Sequence, residues 1–121
     1  MAMRAKKLMV KLFDEDEGKV KWFHVCYIGS KLYDAFLEEK HIDSIEFADY
    51  IADWFNRDFG QHITMTTKRD LNIVRGVVKE KYRAVFPSIY NNTNIDNQGW
   101  LRVWLSEKME EEMKNVNKRR F

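Results

Sequence analysis

The sequence predicts an α+β domain in which an N-terminal two-stranded hairpin is followed by three to four helices. Three observations lead there. Two runs rich in β-formers flank an acidic turn that ends in glycine, Asp14-Glu15-Asp16-Glu17-Gly18. Beyond Ser30 the apolar residues recur three and four apart, the period of a helix packed on one side. The 121 residues, 45% hydrophobic and 33% charged, suffice for one sizeable core beneath a solvated surface.

The predicted strands are Lys7 to Phe13 and Lys19 to Ile28. The first alternates Leu8, Val10 and Leu12 against Met9, Lys11 and Phe13. The second alternates Val20, Trp22, His24, Cys26 and Ile28 against Lys21, Phe23, Val25 and Tyr27. Both faces of the second strand are apolar, which predicts cover on both sides. A hairpin is marginal alone, so helices must pack on it.

Ser30 is placed to cap a short helix over Lys31 to Lys40, with Leu32, Tyr33, Phe36 and Leu37 on one side. Asp43 and Glu46 stand at capping-box spacing before a second helix ending at Gly60, and Phe47, Tyr50, Ile51, Trp54 and Phe55 form its stripe. A third helix is predicted from Thr66 or Thr67 to Arg83, with Leu71, Val74, Val78 and Tyr82 inward. Gly76 in its middle reads either as a close helix crossing or as a tolerated defect. Ser, Asn, Thr and Asp cluster from Pro87 to Asn97 and predict a loop.

Residues Gly99 to Phe121 admit two readings. One is a continuous helix striped by Leu101, Leu105, Met109, Met113 and Val116. The other is a strand over Trp100 to Leu105, with Ser106 capping a shorter helix. The continuous helix is preferred because it needs no partner strand. The strand reading makes the order of elements compatible with a winged helix.

Net charge is only +2, from 21 basic and 19 acidic residues, yet the charges are segregated. From Asp43 to Phe59 five acids oppose Arg57 alone, a net −4; from Thr67 to Ala84 six bases oppose Asp70 and Glu80, a net +4. On the basic helix Lys68, Asn72, Arg75, Lys79 and Arg83 fall four, three, four and four apart, on one face of the helix. Such a face suits a phosphate backbone or a major groove, where Asn72 can read an adenine edge. The competing expectation is a solvated face that pairs with the acidic helix. Lys114, Lys118, Arg119 and Arg120 follow Glu107 and Glu110 to Glu112, an order that complements the helix dipole.

Aromatics make up 14% of the chain, more than a core of this size absorbs. Trp100 and Trp104, four apart, and Tyr90 are the candidates for surface anchors to a partner. The competing expectation is that both tryptophans close the core under the C-terminal helix.

Other chemistry is not signalled. Cys26 is the one cysteine, so no internal disulfide forms. His24 and Cys26 share a strand face, but His41 and His62 lack ligand spacing, so neither metal nor cofactor is expected. Glu17-Gly18-Lys19 has the form of some nuclease motifs, without an aspartate on a separate strand; Glu46, Asp49 and Asp53 read as a solvated acidic face. No apolar run approaches the ~20 residues of a membrane span, and Met1-Ala2-Met3-Arg4 holds no signal-peptide core, so a cytoplasmic protein without a membrane partner is expected. The expected function is a small non-enzymatic regulatory domain that contacts DNA or RNA through residues 67–84. The alternative is a protein-interaction or inhibitor module of viral or mobile-element origin, working through acidic or aromatic surface. Oligomeric state is not assigned.

Overall fold

The computed structural model describes residues 4–85 and 97–119. The hairpin forms first. Strand β1 (Ala5–Asp14) pairs antiparallel with β2 (Lys19–Gly29). The turn closes on Asp14, whose carboxylate accepts the N–H groups of Asp16 at 2.9 Å and Glu17 at 3.3 Å. Gly18 sits at φ 68°, the left-handed conformation that glycine adopts without steric cost, and its N–H donates to the Asp14 carbonyl at 2.8 Å.

The register contains one irregularity. Met9 opposes His24 and Leu8 opposes Cys26, so Val25 is an extra residue in β2, a β-bulge. Val25 and Cys26 are consequently both buried, with Leu8, Val10, Leu12 and Ile28. Cover on both sides of β2, expected from its two apolar faces, is not what the fold provides. One face lies on the core, while Val20, Trp22 and Tyr27 are about half exposed on the other.

Four helices follow among the described residues: α1 (Ser30–Lys40), α2 (Phe47–Phe59), α3 (Lys68–Val85) and α4 (Asn97–Arg119). Ser30 opens α1 but makes no side-chain cap; Gly29 holds the cap position. Asp43 does not cap α2: its carboxylate accepts the Glu46 N–H at 2.9 Å in a turn ahead of the helix, and the cap position, Glu46, makes no side-chain cap bond. Gly60 ends α2 in the left-handed conformation at φ 61°. Asn56 then clasps the connection to α3, donating to the Ile63 carbonyl and accepting its N–H, each at 2.9 Å.

Trp100 to Leu105 lie within α4, so the strand that a wing at these positions requires is not formed. The long helix packs on α3, β2 and α1. Its Trp100, Leu101, Trp104, Leu105 and Met109 join the buried residues of the hairpin and the other three helices in one hydrophobic cluster. No described helix is long and apolar enough to cross a membrane.

Gly76 is exposed, and a Cβ built on it meets nothing within 4 Å. It is a tolerated gap in the helix rather than a crossing point.

Candidate nucleic-acid interface

The basic face begins with the cap of α3. Thr67 Oγ1 accepts the Asp70 N–H at 3.2 Å, while Asp70 Oδ2 accepts the N–H groups of Thr66 at 2.9 Å and Thr67 at 3.0 Å. This is a reciprocal capping box with aspartate in the third position. Partial burial pushes the Asp70 carboxyl up, but the backbone donors of Thr66 and Thr67 outweigh it and hold the group below its ordinary value.

The cap is also tied to the hairpin. Phe13 N–H donates to the Thr66 carbonyl at 2.9 Å, and Phe13 and Thr67 form a parallel bridge. The start of α3 therefore lies beside the acidic turn. Lys68 Nζ pairs with Asp16 at 2.8 Å, and the Arg69 N–H donates to Glu15 at 3.3 Å. Glu15, Asp16, Lys68, Arg69, Asn72 and Ile73 line an open groove of about 420 Å³ there. The two acids make this end of the face a poor seat for phosphate, and Lys68 is already engaged.

Arg75 is not a surface contact either. It is half-buried, and its Nη2 donates to the His24 carbonyl of β2 at 2.6 Å. Nη1 donates to Asn72 Oδ1 at 3.3 Å, and Nε is buried with no hydrogen-bond partner among the described residues. Burial pulls the guanidinium below its ordinary value, although an arginine remains charged at any working pH. The residue ties α3 to β2.

Asn72 and Arg83 are exposed and Lys79 is half-buried; Arg83 lies 3.9 Å from Glu80 one turn earlier. The five predicted residues thus divide. Lys68 and Arg75 serve the fold, while Asn72, Lys79 and Arg83 lie along the remaining length of the helix. Lys81, outside the predicted set, lies with Nζ 5.2 Å from the Phe59 ring centroid.

Two acids of α2 make their ion pairs with residues outside α3, although the charge of Lys81 on α3 also acts on Asp58. Asp53 accepts from Arg57 at 2.7 Å one turn on, and Asp58 pairs with Lys108 of α4 at 2.7 Å.

The predicted aromatic anchors do not form a surface. Trp100 is 2% exposed and stacks on Tyr82, ring centroids 5.7 Å apart; Trp104 is 1% exposed, against Phe55 and Phe59 of α2. The reason is positional. Four apart on one helix, they share the stripe of Leu101 and Leu105, which α2 and α3 cover. Tyr90 lies outside the described residues.

The exposed aromatics are elsewhere. Phe13, Trp22 and Tyr27 are 41%, 48% and 49% exposed, all on the outer face of the hairpin. Sequence reasoning passed over them because β2 is apolar on both faces. The available signal was in β1: Lys7 and Lys11 mark its solvent side, and the register sets them opposite Tyr27 and Trp22.

Among the described residues no group of three or more His, Cys, Asp or Glu side chains is arranged to hold a metal ion. Cys26 is buried, and desolvation pushes its thiol up to about 12 against the lowering fields of Arg102 and Arg75. No protein-family model, no curated protein and no solved structure matches the chain.

Proposed function

We propose that this domain is a non-enzymatic regulatory module that contacts nucleic acid through the solvent side of α3, with Asn72, Lys79 and Arg83 as the contact. The observation behind this reading is the direction of the acidic helix's ion pairs, which run to Arg57 and to Lys108 of α4. Lysine and arginine along one helix face neutralise phosphates, and each contact makes affinity fall more steeply with salt. A protein-interaction or inhibitor role is the second reading, and the burial of Trp100 and Trp104 deprives it of two expected anchors.

The test is a double charge reversal, K79E with R83E, read by anisotropy of a labelled 20-base-pair duplex. Affinity at low salt should fall at least about tenfold and the salt slope should become shallower, with the thermal midpoint little changed. Absence of binding by the unaltered protein to any duplex or single strand at low salt rules the reading out.

A further inference from the structure

We propose that the outer face of the β1–β2 hairpin is a stacking platform for single-stranded nucleic acid. This deepens the nucleic-acid reading and rests on it, but uses a surface separate from α3.

The register defines the face. Phe13 opposes Val20, Lys11 opposes Trp22, Met9 opposes His24 and Lys7 opposes Tyr27. Paired residues in a sheet project to the same side, so these eight form one surface. Phe13, Val20, Trp22 and Tyr27 are exposed large hydrophobics, and Lys7 and Lys11 are exposed between them. Not one of the eight is acidic, although the chain carries 19 Asp and Glu residues.

The face is also held firmly. Arg75 bonds the His24 carbonyl at 2.6 Å, and the His24 ring meets the Tyr27 ring edge-on at a centroid distance of 4.8 Å. The Tyr27 ring, held by this contact, loses little freedom when a ligand covers it.

Chemistry selects the occupant. Half-exposed rings offer flat apolar area, and interleaved ammonium groups require a partner whose negative charge repeats along its length. A single strand meets both demands, with bases on Trp22, Tyr27 and Phe13 and phosphates near Lys7 and Lys11. A duplex keeps its bases stacked on one another and would meet only the lysines. A second copy of this chain, docked face to face, would bring like charges together across a two-fold axis. Eight residues also fall short of the roughly 20–30 per side in a stable interface.

Trp22 is the one exposed tryptophan of four; Trp54, Trp100 and Trp104 are 3%, 2% and 1% exposed. Its emission therefore reports on this face. The experiment titrates the whole protein with oligo(dT) of about 12 nucleotides, with a duplex of equal length and with phosphatidylserine-containing vesicles, following tryptophan fluorescence and acrylamide accessibility. Oligo(dT) should quench the accessible emission. W22A and Y27A should each weaken oligo(dT) binding at least about fivefold and leave duplex binding within twofold, and W22F should retain most of the affinity. Far-UV circular dichroism of each variant checks that it folds.

Oligo(dT) binding that leaves Trp22 accessible, or that W22A does not weaken, overturns the proposal. So does protection of Trp22 by the protein's own concentration, which would mean self-association, or by vesicles alone. Duplex binding without oligo(dT) binding defeats this proposal and spares the α3 reading. Oligo(dT) binding that W22A weakens, alongside duplex binding that K79E/R83E leaves unchanged, spares this proposal and defeats α3.

Discussion

The indole Nε1 of Trp104 donates to Asp58 Oδ2 at 3.0 Å, and the same oxygen pairs with Lys108 Nζ at 2.7 Å. One carboxylate thus satisfies the polar atom of a buried tryptophan and joins the end of α2 to α4. The Asp58 side chain is 20% exposed, so little solvent can replace what a substitution removes. D58A should lower stability by about 1–3 kcal/mol, measured by urea unfolding at neutral pH.

The same carboxylate predicts an acid response. Desolvation pushes Asp58 up, but hydrogen bonds from Lys108 and Trp104 and the charges of Lys108 and Lys81 pull it further down, below the ordinary 3.8. A group whose folded value is depressed stabilises the fold fully above its unfolded value and loses that contribution as pH falls through the folded one. Asp70 and Glu112 are shifted in the same direction. The unaltered protein should therefore lose more stability below about pH 4 than D58N does, in urea midpoints compared at several pH values.

Arg75 separates a fold contact from a binding contact on one helix. R75E would set a carboxylate against the His24 carbonyl in a half-buried site, and should cost about 2–4 kcal/mol. K79E, on the same stripe, should stay within about 0.5 kcal/mol of the unaltered protein. Thermal unfolding of the two variants side by side checks this; equal midpoints would remove the structural role given to Arg75.

Gly76 offers the opposite sign. Alanine there meets open space and removes backbone freedom from the unfolded chain. G76A should stabilise the protein by about 0.5–1 kcal/mol and raise the thermal midpoint.

Cys26 should be silent toward thiol reagents in the native state. It is buried, and with its thiol pushed up to about 12 almost no thiolate exists at pH 8. An aromatic disulfide reagent should react fully only in denaturant, and its slow rate in buffer then measures opening of the hairpin from α4.

Much of the fold is legible from local rules. The hairpin follows from two β-rich runs and a turn whose glycine needs positive φ. The end of α2 follows from Gly60, and the start of α3 from the Thr67–Asp70 pair. The core side of α3 follows from Leu71, Val74 and Val78. In each case the cause lies within a few residues of its effect.

The candidate surface was less legible because its determinants are long-range. Lys68 looks like any other lysine of its stripe until the fold brings Asp16 to it across 52 positions. Arg75 is taken out of the surface by a carbonyl 51 positions away. Counting aromatics offers Trp100 and Trp104 as surface anchors, whereas their helical spacing with Leu101 and Leu105 assigns them to the covered side.

The extra residue at Val25 divides β2 into two segments of opposite phase. Before it, Val20, Trp22 and His24 point outward; after it, Cys26 and Ile28, which continue the same numerical series, point inward. A single backbone insertion therefore decides which aromatic rings meet solvent, independently of side-chain identity at any one site. Loss of that one codon would leave every other residue unchanged, yet the strand could no longer bury Cys26 and Ile28 while presenting Trp22. The chemistry of the face is thus inherited through chain length as much as through composition.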